Sequence, residues 1–356
     1  MKQVKLGNKV IGDGQLAYVI AEMAWSHDGS REKARQIIKG TSDAGADAIS
    51  VHITSMKDYM VKDYGSLAGQ TVSAGKETEK IFDYQERINL KDNDWEDLFP
   101  YAKSLGLAIC AMPNDMPSLK LCIKLKPDSY VIHASCFVDE NFVTEVAKQK
   151  RPVILRIGGA TLGEIESTVN IIKKNGTDDI ILLHGIQLYP TRIENTRLNL
   201  IPALKAIFGL PVGLAEHMDG DSRLAMIVPL LALPLGAAVI EKHITFNRQE
   251  KGEDFESALN PGEIKQLVAD IREIEKAMGS SSFESLSAAE IRYRQVSRKK
   301  TVASRAIKKG EKLSQQDIIF KRSDDGLSPD ESKFIIGRTA SEDIKEESPI
   351  TWAKLL

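Results

Sequence analysis

The chain has few cysteines, little net charge and no long uninterrupted apolar run. Its three cysteines, Cys110, Cys122 and Cys136, are odd in number and lack metal-ligand spacing. A disulfide framework and a thiolate metal site are therefore not expected, and reduced thiols in the cytoplasm are. A formal net charge of −2 over 356 residues gives nucleic acid or an anionic membrane no electrostatic reason to be the main partner. The longest apolar stretch, residues 225–240, is broken by Pro229, Pro234 and Gly236, so no membrane span is expected. The opening MKQVKLGNKVIGDG has no apolar core, so no signal peptide is expected either. With 42% hydrophobic and 28% charged residues, the composition is that of a soluble globular protein.

What the chain does have is alternation. After a short hairpin-like start, β-rich apolar runs recur as AYVIAE (17–22), DAISVHI (47–53), LAICAM (107–112), SYVIHA (129–134), PVILRI (152–157), DIILLH (179–184), PVGLAE (211–216) and AAVIEKH (237–243). Amphipathic stretches separate them; in the first, Ser30 is placed to cap a helix and Gly45 to stop it. Near-continuous apolar strands alternating with helices predict a parallel sheet covered on both faces. Eight such units predict an α/β fold of the (β/α)8 TIM-barrel type over residues 1–278. An open dinucleotide-binding sheet is disfavoured because no GxGxxG follows the first run. Residues 279–297, Ser-rich and then polar, read as a linker, and residues 298–356 as a small β-rich domain with tight turns.

The chemistry-bearing side chains fall in one place. All six histidines, His27, His52, His133, His184, His217 and His243, lie at or just after the C-terminal end of an expected strand. Glu22, Glu216 and Glu241 do too, and that is the end of a barrel where active sites are built. Converging imidazoles with a carboxylate suit a divalent ion such as Mn²⁺, Zn²⁺ or Fe²⁺. His217 and His243 end neighbouring strands and are the expected ligands, with Glu22, Glu216 and Glu241 as candidates for a third ligand or a general base. Ion pairing of a glutamate with Lys242 or Arg156 is the competing structural role. Two residues after Glu241 on a strand, His243 shares its face, and Lys242 points to the other.

At these residues the sequence resembles the sialic acid synthase family, which includes the N-acetylneuraminate, legionaminate and pseudaminate synthases. The matching stretches are IAEMAWSHDGS (20–30), AGADAISVH (44–52), ENFVTEVAKQKRPVILRIGGAT (140–161), LLHGIQLYPTRIENTRLNLIPALKAIFGLPVGLAEH (182–217) and GAAVIEKHITF (236–246). From TVASRAIKKGEKLSQQDI to IGRTASEDIKEESPI the chain is similar to the antifreeze-like (SAF) domain that ends these enzymes. The resemblance implies condensation of phosphoenolpyruvate with an amino-sugar aldehyde to a nonulosonic α-keto acid, with Mn²⁺ as the expected ion. It implies a homodimer whose SAF domain covers the partner's barrel mouth. It places the metal on His217 and His243, active-site carboxylates at Glu22 and Glu241, an active-site tyrosine at Tyr189 and a substrate-reaching arginine at Arg322.

On the phosphoenolpyruvate side the pattern departs. Ser50-Val51-His52 stands where the family has Lys-x-Gln, and Val131 where it has lysine. Leu188 precedes the Tyr-Pro, Ala215-Glu216-His217 replaces Ser-Asp-His, and Arg156-Ile157-Gly158 replaces Ser-Thr-Gly. Arg156, Ser50, His184 and Arg192 are the expected substrate-binding groups in a rearranged cradle, with His52 and His133 added to the catalytic set. The alternative is a histidine-rich metal site that acts on another small polar metabolite without phosphoenolpyruvate.

Overall fold

The computed structural model describes residues 2–63, 80–279 and 285–356, so residues 280–284 of the expected linker lie outside the described residues. The chain forms two compact units, Met1–Gly279 and Ser280–Leu356. In the first, eight parallel strands close into a barrel in chain order. They are β1 (Tyr18–Ala24), β2 (Ala48–Ile53), β3 (Ala108–Pro113), β4 (Ser129–His133), β5 (Val153–Arg156), β6 (Ile180–His184), β7 (Val212–Ala215) and β8 (Val239–His243). Every apolar run read from the sequence became a strand. The closing seam pairs β8 with β1 from Val239–Tyr18 to His243–Glu22.

Strand parity divides the core in two. Val19, Ala21, Ile49, Leu155, Leu182, Leu214 and Ile240 face outward onto the helices. Tyr18, Ile20, Ala48, Cys110, Val131, Ile154, Ile181, Leu183, Ala215 and Val239 fill the interior. The hairpin formed by Val4–Leu6 and Lys9–Ile11 adds Val4, Leu6 and Ile11 to that interior cluster. The first outer helix, Arg31–Asp43, begins where Ser30 Oγ accepts from Lys33 N at 3.3 Å. It gives way at Gly45, whose φ of +78° suits a residue without Cβ. A capping box of Thr161 and Glu164 starts Leu162–Asn175 in the same manner.

In the second unit Lys299–Ala303 pairs antiparallel with Ile318–Arg322. Ala303, Ile307, Leu313, Ile318, Ile335, Ile344 and Ile350 form its core. The preceding helix, Ala288–Ser297, buries none of its residues. Among the described residues no helix is long and apolar enough to cross a membrane.

Candidate metal centre at the barrel mouth

The inward parity that buries Ile20, Ala48, Val131, Ile154 and Val239 continues, one step nearer the C-terminal ends, to polar side chains. Glu22, Ser50, Arg156 and Glu241 follow, then His52, His133 and His243. His217, two residues past the inward Ala215, joins them. A hydrophobic barrel thus ends in a layer of ionisable groups that are almost wholly buried: Glu22, Arg156, His217, Glu241 and His243 are each at most 2% exposed.

Glu22 is the hub of this layer. Its Oε1 lies 2.7 Å from His52 Nε2, and its Oε2 is 3.0 Å from His243 Nε2 and in contact with Arg156 Nη2. The same Arg156 nitrogen reaches Glu241 Oε1 at 2.8 Å. Burial alone would raise the Glu22 pKa, but Arg156 and His243 hold it well below the usual carboxylate range. Glu241 has less compensation, and burial pushes it up to about 7 despite Arg156. His243 is raised because Glu22 outweighs its burial, whereas burial and His243 push His217 well down.

One carboxylate oxygen and one ring nitrogen each from Glu22, His217 and His243 lie within 4.8 Å of one another. The chemistry of this set fits a divalent cation. His217 Nδ1 lies 2.8 Å from the Ile186 carbonyl, which can only accept, so Nδ1 carries the proton and Nε2 keeps its lone pair. That buried Nε2 has no hydrogen-bond partner. An unpaired buried acceptor beside a second imidazole and an ionised carboxylate is the donor set that a divalent ion takes. Tyr189 packs its ring 4.4 Å from His217 and 5.5 Å from His243, and its hydroxyl donates to Gln187 Oε1 at 2.7 Å.

Several sequence expectations fall elsewhere. Glu216, expected as a ligand, points out of the barrel because it has the opposite parity to His217. Its Oε1 accepts from Lys242 Nζ at 2.5 Å and its Oε2 from Met218 N at 2.6 Å, all buried. The structural ion pair is its role, and Lys242 faces the helices as parity requires. His184, expected to bind substrate, likewise has outward parity and meets the Thr196 carbonyl at 2.9 Å. Arg192 pairs with Glu194 at 2.7 Å with its side chain 80% exposed, outside the buried layer.

His52 and His133 lie in the mouth but not in the three-residue group. His52 bonds Glu22 and meets Trp25 edge to face at 4.7 Å. His133 Nδ1 is 2.9 Å from Ser135 Oγ, and burial and Arg156 push its pKa down to about 4. Ser50 Oγ is buried without a partner. Arg322 lies in the second unit, where Nη2 donates to the Val296 carbonyl at 3.1 Å.

Sequence reasoning missed Asp254. Its Oδ2 is 3.7 Å from His243 Nδ1, and burial pushes its carboxyl up to about 7. It lies in the loop after β8 with φ of +58°, where no period or strand parity points to it.

The NeuB family model matches residues 37–283 and the SAF domain model residues 301–356. An uncharacterized protein of Methanocaldococcus jannaschii is 32% identical, over 100% of this chain and 99% of its own length. The N,N'-diacetyllegionaminic acid synthase of Campylobacter jejuni is 30% identical, over 93% of this chain and 98% of its own. Among solved structures, the N-acetylneuraminic acid synthetase of Leptospira borgpetersenii superposes with a TM-score of 0.71 at 27% identity, covering 82% of this chain and 96% of that one.

Proposed function

From the premise that the chain belongs to the NeuB family, and is a carbon–carbon bond-forming enzyme of that family, we propose its reaction. It is a metal-dependent synthase that joins phosphoenolpyruvate, or a related enolpyruvyl donor, to the aldehyde carbon of an amino sugar, consuming one water and releasing phosphate to give a nonulosonic-type α-keto acid. The observation that carries this reading is the convergence of Glu22, His217 and His243 at the mouth of the barrel. These three residues would hold the ion, and Mn²⁺ is the first choice, with Fe²⁺ and Zn²⁺ compatible with the same donors. Bound there, the ion supplies Lewis acidity to the acceptor's carbonyl oxygen.

The chain's own groups do the rest. Glu22 stays anionic because Arg156 and His243 stabilise its charge. The Ile186 carbonyl fixes the His217 tautomer. Tyr189 packs against both ligand rings and limits their rotation. Arg156 is the anchor for the donor's carboxylate, since a guanidinium fork matches that group. Glu241, poised near neutrality beside Arg156, gives a proton to the aldehyde oxygen as it becomes a hydroxyl, or takes one from the water whose attack releases phosphate. His133 and Ser50 line the donor side of the same wall.

Homodimerisation with an exchanged SAF domain, bringing Arg322 to the partner's substrate, belongs to this reading, as does a cytoplasmic location. Support comes from the family likeness along both parts of the chain.

The test combines metal analysis of the purified protein with incubation of Mn²⁺, phosphoenolpyruvate or pyruvate, and a panel of amino-sugar aldehydes. A nine-carbon keto acid from the wild type, and none from His217→Ala, is expected. No condensation product with either donor across the panel overturns the reading.

A further inference from the structure

Among the described residues, Arg156 is the one guanidinium or ammonium on the inward face of the eight strands. Its position is unusual for a group expected only to hold substrate. Nη2 lies against Glu22 Oε2, the oxygen that is also 3.0 Å from His243 Nε2, and it bridges to Glu241 Oε1 at 2.8 Å. Glu22 is the only carboxylate of the three-residue metal group. The arginine therefore rests on the oxygen that a divalent ion needs.

Two physical consequences follow from that contact. A fixed positive charge beside the ligand oxygen opposes a second cation, and at 2% exposure little solvent screens the repulsion. Arginine cannot escape by losing its proton, as a lysine in this position would. At the same time the Arg156 Nε is buried without a hydrogen-bond acceptor. A buried N–H with no acceptor is destabilising, and an anionic oxygen brought by a ligand relieves it. Cation loading and anion binding thus meet on one side chain.

Resting on the metal-dependent reading above, we propose that Arg156 couples the two halves of the site, so that the divalent ion and a carboxylate-bearing donor bind cooperatively. A ligand carboxylate engages the guanidinium and offsets its charge, which leaves Glu22 to the ion. By linkage the ion strengthens carboxylate binding by the same factor. The metal-free, donor-free barrel keeps Glu22 paired, and a productive site assembles only when both components are present.

Titration calorimetry of Mn²⁺ into the full chain, with and without pyruvate as the probe, tests this. For the wild type, saturating pyruvate should tighten Mn²⁺ binding at least about tenfold, within the usual range of coupling between sites. For Arg156→Met, Mn²⁺ alone should bind at least about tenfold tighter than to the wild type, with pyruvate changing that affinity less than about twofold. Unchanged or weaker Mn²⁺ binding by Arg156→Met, or retained coupling in it, overturns the proposal. If that variant does not fold, Arg156→Gln, which also removes the charge, must show the tighter Mn²⁺ binding and the lost pyruvate effect, and failure of either overturns the proposal. Absence of tightening in the wild type does so too. No Mn²⁺ binding by either the wild type or Arg156→Met defeats the metal-dependent reading itself. Equal binding by both defeats only the coupling.

Discussion

Replacing Glu216 with alanine separates structure from chemistry at the mouth of the barrel, because its neighbour His217 is a metal-group residue and Glu216 is not. Glu216 and Lys242 are 2% and 0% exposed in their side chains and meet at 2.5 Å. The alanine leaves a buried ammonium without its counterion and Met218 N without its acceptor. Breaking a buried pair in this way costs about 3–5 kcal/mol, much more than removing both charges together. At a few degrees per kcal/mol for large domains, the thermal midpoint falls by on the order of 10 °C. Tryptophan fluorescence is the natural assay, since Trp25 and Trp95 belong to the barrel unit and Trp352 alone to the other. The double replacement Glu216→Leu with Lys242→Met should recover most of the loss. Throughout, Mn²⁺ stoichiometry should stay at the wild-type value, while Glu22→Ala abolishes it. A Glu216→Ala protein of wild-type stability that has lost its metal refutes the assignment of Glu216 to the outer face.

Three further outcomes follow from the same geometry. Burial and Arg156 push the His133 pKa down from its ordinary 6.5 to about 4, so between those values the unfolded chain binds a proton that the fold does not. The resulting penalty is absent above pH 6.5 and grows as the pH falls to 4. His133→Asn should therefore gain stability relative to wild type on acidification through that window, by at most about 1.4 kcal/mol per pH unit, and a pH-independent difference in denaturation midpoint contradicts it. Gly185→Ala would place a Cβ 1.8 Å from the Ala215 carbonyl oxygen, next to the segment that carries His217. It should destabilise by about 1–3 kcal/mol or more and weaken Mn²⁺ binding, and a silent result in both assays shows that the β6–β7 approach is not tight. Arg192→Ala, at an exposed side chain paired with Glu194, should leave stability within about 0.5 kcal/mol and Mn²⁺ affinity unchanged. A large loss in either would return Arg192 to the site.

The barrel was legible because each strand is buried on both faces, which writes a continuous apolar run that ends in polar residues. Within a strand, parity was equally readable: Lys242 between Glu241 and His243 had to face the helices, and it does. The expectations that failed were those that set parity aside at a strand end. Glu216 adjoins a residue of the metal group, and the neighbourhood in sequence suggested a shared role, yet adjacent residues of extended chain point in opposite directions. His184 erred by the same half-step. Nothing in the sequence marked Asp254, because a loop has no period from which to infer a direction.

A subtler limit concerns which inward carboxylate meets the histidines. Glu22 and Glu241 share parity and burial, and from the sequence they are interchangeable as ligand or base. The choice is made by barrel closure, where the last strand pairs with the first in a register that sets His243 directly beside Glu22 and leaves Glu241 one step lower, beside Ile20. That register joins residues more than 200 positions apart and follows from the shear of the whole barrel rather than from any local pattern. Arg156 then converts the difference of one step into a chemical one. It contacts both glutamates, but only Glu22 is also in direct contact with His243, so one carboxylate stays ionised while burial takes the other up to about 7. Two similar side chains thereby come to differ in charge, as the proposed ligand and proton carrier must, and the division is a property of the closed barrel.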